Sequence, residues 1–285
     1  MISMGDDLTR GIIFLFLSVA LFFISKVAKD YLTPYKINDQ LRESNVAVSI
    51  SVMGYLFATI IVLLGAFMGP SGNLVDDISG FIGYAALGIV LLNVSRVVND
   101  KFLLRKFCNI KEIIEDRNAG AGAVEFGAYI ASGLVVAGSI HGQGGGLHTA
   151  LVFFALSQVV LILFTFMYDF ITPFNVHDEI EKDNVAAGVA FGGTLVALGI
   201  ILFKGAVGDF ISWQYNLTNF AVSTGTSIVV LPLIRIFLDK VMLPRTDLNH
   251  AISRDRNVAI GLLEMTVAIS FAVILYFMID FDIKF

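Results

Sequence analysis

Eight apolar runs, at residues 11–24, 46–68, 78–92, 127–140, 147–167, 185–203, 220–234 and 258–279, divide the chain. The stretches between them hold nearly every charge. A helix needs about 20 mostly apolar residues to cross a bilayer core of about 30 Å. Some runs reach that length outright, and the rest do so with uncharged polar flanks. The pattern predicts an all-α integral membrane protein with eight transmembrane helices. Composition agrees: 56% of the 285 residues are hydrophobic and 15% charged, where a soluble domain carries about 25% charged residues.

Charge then sets orientation. Of the 19 Lys and Arg residues, all but Arg10, Lys204 and Lys284 fall in the connections after spans 1, 3, 5 and 7. Basic loops stay cytoplasmic, so both termini are expected outside. The start, MISMGDDLTR, is acidic, with Lys26 and Lys29 following the first run; this predicts an uncleaved first span rather than a signal peptide. The lone Cys108 forms no internal disulfide. No basic stripe suggests nucleic acid.

The chain also resembles itself. DYLTPYKINDQLRESN from Asp30 matches DFITPFNVHDEIEKDN from Asp169, and DKFLLRKFCNIKEIIEDRN from Asp100 matches DKVMLPRTDLNHAISRDRN from Asp239. Both offsets are 139 residues, without a gap. A tandem duplication of a four-helix unit is expected, each unit two helical hairpins, with residues 1–140 as the first repeat and 141–285 as the second. Within each two-span element an aspartate (Asp30, Asp100, Asp169, Asp239) ends the first helix. An asparagine (Asn45, Asn118, Asn184, Asn257) opens the second, suited to capping its free amides. Small residues follow, among them Gly122, Gly127, Gly188, Gly192 and Gly261. Such rows let helix backbones approach closely in lipid, either within one chain or between chains.

Residues 30–34 (DYLTP), 169–173 (DFITP), 183–188 (DNVAAG), 116–122 (DRNAGAG) and 255–261 (DRNVAIG) resemble the bacterial inner-membrane family known as domain of unknown function 350, here as four copies of its two-span element. Ser44, in place of the aspartate before Asn45, and Ser49, in place of the later glycine, depart from the pattern. The resemblance implies an inner-membrane location and a stress-response setting, with no established chemistry.

Two acids lie inside spans. Glu125 and Glu264, 139 residues apart, each follow the helix-opening asparagine by seven residues, about 10 Å into the membrane. Intramembrane carboxylates face a cavity or a partner; Arg96 and Arg235, also 139 apart, are the candidate partners. Two readings stand side by side: a polar pathway for a cation or proton, or a structural ion pair. The outward segment HGQGGGLH, from His141 to His148, reads as a flexible linker between the halves, and no metal site or cofactor is expected. No catalytic constellation falls within the spans, so an enzyme is not expected. Function therefore narrows to a cation- or proton-conducting transporter or channel, or alternatively a membrane scaffold or envelope-stress component that binds a partner protein or anionic lipid through its basic cytoplasmic loops. Membrane lipid is a partner in either case, and homo-oligomerisation stays open.

Overall fold

The computed structural model describes residues 4–68, 72–103 and 109–278. Its eight long helices are α1 (Met4–Leu32), α3 (Val46–Phe67), α4 (Leu74–Phe102), α6 (Ala119–Ile140), α7 (Leu147–Ile171), α9 (Val185–Ala206), α10 (Trp213–Phe237) and α12 (Val258–Met278). All eight are long and apolar enough to cross a membrane. Four six-residue helices, α2 (Ile37–Arg42), α5 (Asn109–Ile114), α8 (Val176–Glu181) and α11 (Leu248–Ser253), join them in pairs. The chain is an all-α polytopic membrane protein in which one succession, long helix, short helix, long helix, occurs four times. All four short helices lie on the side that carries the basic loops, here called the basic side.

The second long helices, α3, α6, α9 and α12, stand side by side in a row, each packed on the next. The first long helices flank this row, and α6 and α9 at its centre are the most enclosed. Small residues explain the closeness. At the three junctions Gly122 sits on the backbone of Ala47, Gly188 on that of Gly120, and Gly261 on that of Ala186. Gly127 and Gly192 meet backbone to backbone where α6 crosses α9. A Cβ at any of these sites would strike main-chain atoms, and a main chain cannot swing aside as a side chain does. The small rows thus pack within one chain.

This arrangement accounts for Ser49. It occupies the glycine register of Gly122, Gly188 and Gly261, but α3 ends the row, so no neighbouring helix requires a bare backbone there. Its hydroxyl turns back to the Asn45 carbonyl at 3.0 Å. At the other end of the row Thr266 stands in the register of Gly54, Gly127 and Gly193, exposed and bonded to its own helix at 2.8 Å.

The asparagines hold the row together. Asn45, Asn118 and Asn184 accept from Val48, Ala121 and Ala187 amides, capping α3, α6 and α9. Their side-chain amides then donate across to the next element: Asn45 to Ile113 O at 2.9 Å, Asn118 to Ile180 O at 2.6 Å, and Asn184 to Ile252 O at 2.9 Å. Each also donates to an acceptor in its own element, Gln40, Glu112 or Glu179. Asn257, last in the row, caps α12 through Ala259 and Ile260 amides and has no element beyond it. The residue before each asparagine is left-handed: Ser44, Arg117, Asp183 and Arg256 have φ of 58°, 52°, 56° and 49°. Ser44 is thus a turn residue, and the Asn45 cap does not depend on an aspartate before it.

The aspartates act earlier in each element, at the entry to the short helices. Asp30 accepts from the Ile37 amide at 2.8 Å and Asp239 from the Leu248 amide at 3.0 Å. Asp100 accepts from the Asn109 side chain and Asp169 faces His177 at 3.0 Å. That buried imidazole reaches Leu103 O at 2.7 Å, tying α8 to the end of α4.

Candidate functional site

Both intramembrane carboxylates are shielded from lipid: Glu125 is 8% exposed and Glu264 2%. Their surroundings differ. Glu264, on α12, accepts from Arg235 Nε at 2.9 Å and from the Tyr168 hydroxyl at 3.1 Å. Arg235 also donates to Asn249 at 3.0 Å, which fixes the guanidinium between two elements. The other lining residues are mostly apolar, Phe164, Leu231, Val267 and Ala268 among them, with Thr194 the polar exception. Glu264 Oε2 has no partner among the described residues. The carboxylate and guanidinium neutralise each other, and the adjoining space is about 10 Å³, room for about one water.

Glu125, on α6, lacks the arginine expected for it. Arg96 borders, with Glu125, a separate cavity of about 10 Å³ but turns to Asp100 at 3.7 Å and donates to Leu32 O at 3.2 Å. The buried positive group that acts on Glu125 is Lys29 from α1, 1% exposed; it does so through its charge, without an ion-pair contact. The position of Lys29 in the second half is Tyr168, which is why the arginine takes over there. Lys29 donates to the Tyr129 hydroxyl at 2.8 Å. Its ammonium lies over the Tyr129 and Tyr55 rings, 4.2 and 4.7 Å from their centroids, an arrangement that partly replaces lost hydration. Asn109 donates to the Glu125 carboxylate, and Ser51 sits beside it.

From this pair a polar layer spreads inward. Ser51, Tyr55 and Thr59 recur every four residues on one face of α3, all fully buried, a stripe that reaches about 20 Å from the start of the helix. The Ser25 hydroxyl bonds Tyr55 at 2.8 Å and Thr59 at 3.0 Å, and Asn93 donates to Tyr55 at 3.1 Å. Asn99 donates to Ser132 at 3.1 Å and Gln158 to Ser95 at 3.1 Å. Buried polar groups are normally satisfied, yet the side-chain oxygens of Asn99 and Gln158 and the Ser51 hydroxyl have no partner among the described residues. The charge of Glu125 is felt beyond the layer. Burial first, and that carboxylate next, push the Tyr35 phenol in the adjoining loop well above its ordinary range.

Lys29, Tyr129, Asn109 and the Ser51–Tyr55–Thr59 stripe are what sequence reasoning missed. The four-residue polar spacing on α3 was a usable signal, whereas Lys29 reads as an ordinary basic loop residue until α1 is seen to extend past it. Arg105, Lys106 and Cys108, from the largest basic loop, lie outside the described residues. The 141–148 linker is held in place rather than free: Gln143 O accepts from Phe210 N at 2.8 Å, and Gln143 N donates to Asp209 at 2.8 Å. Its glycines make this crossing, Gly142 at φ 104° with the Gly208 backbone against it. His148 lies by Trp213, with ring centroids 6.0 Å apart. Among the described residues no group of His, Cys, Asp and Glu is placed to hold a metal ion.

Comparison with known proteins places the chain among membrane proteins. A UPF0719 transmembrane protein of Aquifex aeolicus is 23% identical over 169 residues, 58% of this chain and 60% of that protein. The UPF0719 transmembrane protein YshE of Bacillus subtilis is 23% identical over 117 residues, 41% of this chain and 82% of that protein. The UPF0719 inner membrane protein YjfL of Escherichia coli is 35% identical over 66 residues, 21% of this chain and half of that protein. No solved structure matches the chain at a significant level. One family covers nearly all of it, at residues 3–140 and again at 144–279, and the chain belongs to that family, described as Domain of Unknown Function (DUF350).

Proposed function

We propose that the protein is a proton-exchanging membrane protein of the bacterial inner membrane, with its basic side cytoplasmic, in which Glu125 and Lys29 bind and release the proton. The observation that supports this reading is a buried carboxylate and a buried ammonium that share one layer of hydroxyl and amide groups without a direct ion pair. The equivalent site holds a guanidinium in direct contact with the carboxylate and fewer polar groups around it.

The choice of proton over metal cation follows from charge. Lys29 already supplies a positive group at Glu125, and a second cation would be repelled in a medium of low dielectric constant. A proton needs no such room. It passes between carboxylate and ammonium by way of the polar groups around them, and the hydroxyls of Tyr129, Tyr55, Ser25 and Thr59 can relay it. An arginine keeps its proton under all ordinary conditions, so the Glu264–Arg235 pair serves as structure. Ionisable groups within a membrane commonly mark proton relays.

The test is pH-gradient-driven proton flux in reconstituted vesicles. Glu125→Gln should lower the protein-dependent flux at least tenfold while the protein stays folded. Equal flux in the variant, or none in the parent protein, would reject the reading.

A further inference from the structure

One face of α6 carries Glu125, Tyr129, Ser132, Val136 and Ser139, spaced by four and three residues so that all five lie in one stripe. The Ser132 end meets Asn99 of α4, and Val136 lies against Gly88 of the same helix. This α4–α6 seam has a cavity at each end. The one on the basic side, about 10 Å³, is lined by Arg96, Asn99, Asp100, Glu125 and Tyr129. The one on the opposite side, about 30 Å³, is bordered by Tyr84, Ser139, His141, Gln143, Thr149 and Asn216. Its polar wall includes His141 Nδ1, enclosed and without a hydrogen-bond partner among the described residues.

Between the two cavities the seam is apolar. Val62 of α3 and Val136 and Ile140 of α6 converge on Gly88, whose bare backbone leaves them the space. The interruption runs from Ser132 to Ser139, about 10 Å of helix rise. An apolar constriction of this length excludes water and stops conduction without any moving charge. The matching positions of the α10–α12 seam are Leu238, Phe271, Leu275 and Met278 in place of Asn99, Ser132, Val136 and Ser139. That seam lacks the polar groups that approach the plug from both sides in the first half.

We infer that the α4–α6 seam is the transmembrane route of the proton, with the Val62–Val136–Ile140 cluster on Gly88 as its plug and the His141 cavity as its far mouth. This rests on the reading of Glu125 as the proton-binding group. The plug sets the rate, and wetting it opens the seam.

Val136→Thr, which keeps the side-chain shape and adds a hydroxyl, should raise proton flux in vesicles at least threefold. Adding Glu125→Gln to it should return the flux to the vesicle background, and Leu275→Thr in the other seam should leave the parental rate unchanged. Parental flux in Val136→Thr, with Glu125→Gln still inactive, would overturn the route and leave the Glu125 reading standing. Parental flux in Glu125→Gln would remove both. Should Val136→Thr fail to fold, Ser139→Cys in a Cys108→Ser background decides. A membrane-impermeant thiol reagent applied to the far side should block flux, and undiminished flux after complete labelling would contradict the inference.

Discussion

Two regions of one chain, the first four spans and the last four, share a backbone plan and differ in what they do with it. Each places a glutamate seven residues into the last helix of its set, at 8% and 2% exposure. In the last four spans an arginine at 2.9 Å closes the site. In the first four, the arginine at the matching position turns away, a buried lysine acts on the carboxylate without touching it, and polar residues continue along α3, α4 and α6. The same architecture thus carries a direct ion pair in one region and, in the other, the separated lysine and carboxylate to which we assign proton exchange. Fold alone does not assign function; the residues added to one region are what support the proposal.

The largest effect that would sharpen this contrast is expected at the fixed pair. Glu264→Leu leaves Arg235 uncompensated within the membrane and should cost roughly 3 kcal/mol of stability, read as unfolding in detergent. Adding Arg235→Met should restore most of it. If the single substitution is silent, the pair is not structural and the contrast fails. Next comes the row itself. Asn118→Ala removes both a cap and the bond to Ile180 O, a loss of about 2 kcal/mol. Asn257→Ala removes only a cap and should cost about 1 kcal/mol. Equal losses would contradict the inter-element role of the asparagines.

Glycine substitutions follow the same logic. Gly127→Ala drives a methyl group into the Gly192 backbone and should destabilise by about 1–3 kcal/mol, whereas Ser49→Ala, at the open end of the row, should be close to neutral. The smallest effect concerns pH. Burial raises the Glu179 carboxyl, but bonds from Asn184 and Lys182 outweigh it and hold the group below its ordinary value. A lowered folded-state value means that the stabilisation is present above about pH 4.5 and is lost as the pH falls through the folded value. Glu179→Gln should flatten that acid limb slightly. The matching residue in the first region is Gln40, so Gln40→Ala should leave the limb's shape unchanged.

Much of the architecture was legible because lipid imposes simple rules. Apolar run length marks the eight spans, and the 139-residue self-match aligns the two glutamates from sequence alone. The asparagines read as caps, but their second bond to the next short helix was hidden, since it joins residues up to 68 apart. The partner of Glu125 was misassigned to Arg96 because the self-match projects Arg235 onto it. What breaks the projection is one substitution, Lys29 against Tyr168, on a helix more than ninety residues away in sequence. Ser49 departs from the glycine pattern in sequence, and the position of α3 at the end of the row explains it.

The central claim, that proton exchange resides in the first region alone, is tested most directly by comparing two variants in one flux assay. Glu125→Gln should lose protein-dependent proton transfer, and the Arg235→Met/Glu264→Leu double variant should keep it. Loss in both, or retention by Glu125→Gln, would contradict the account.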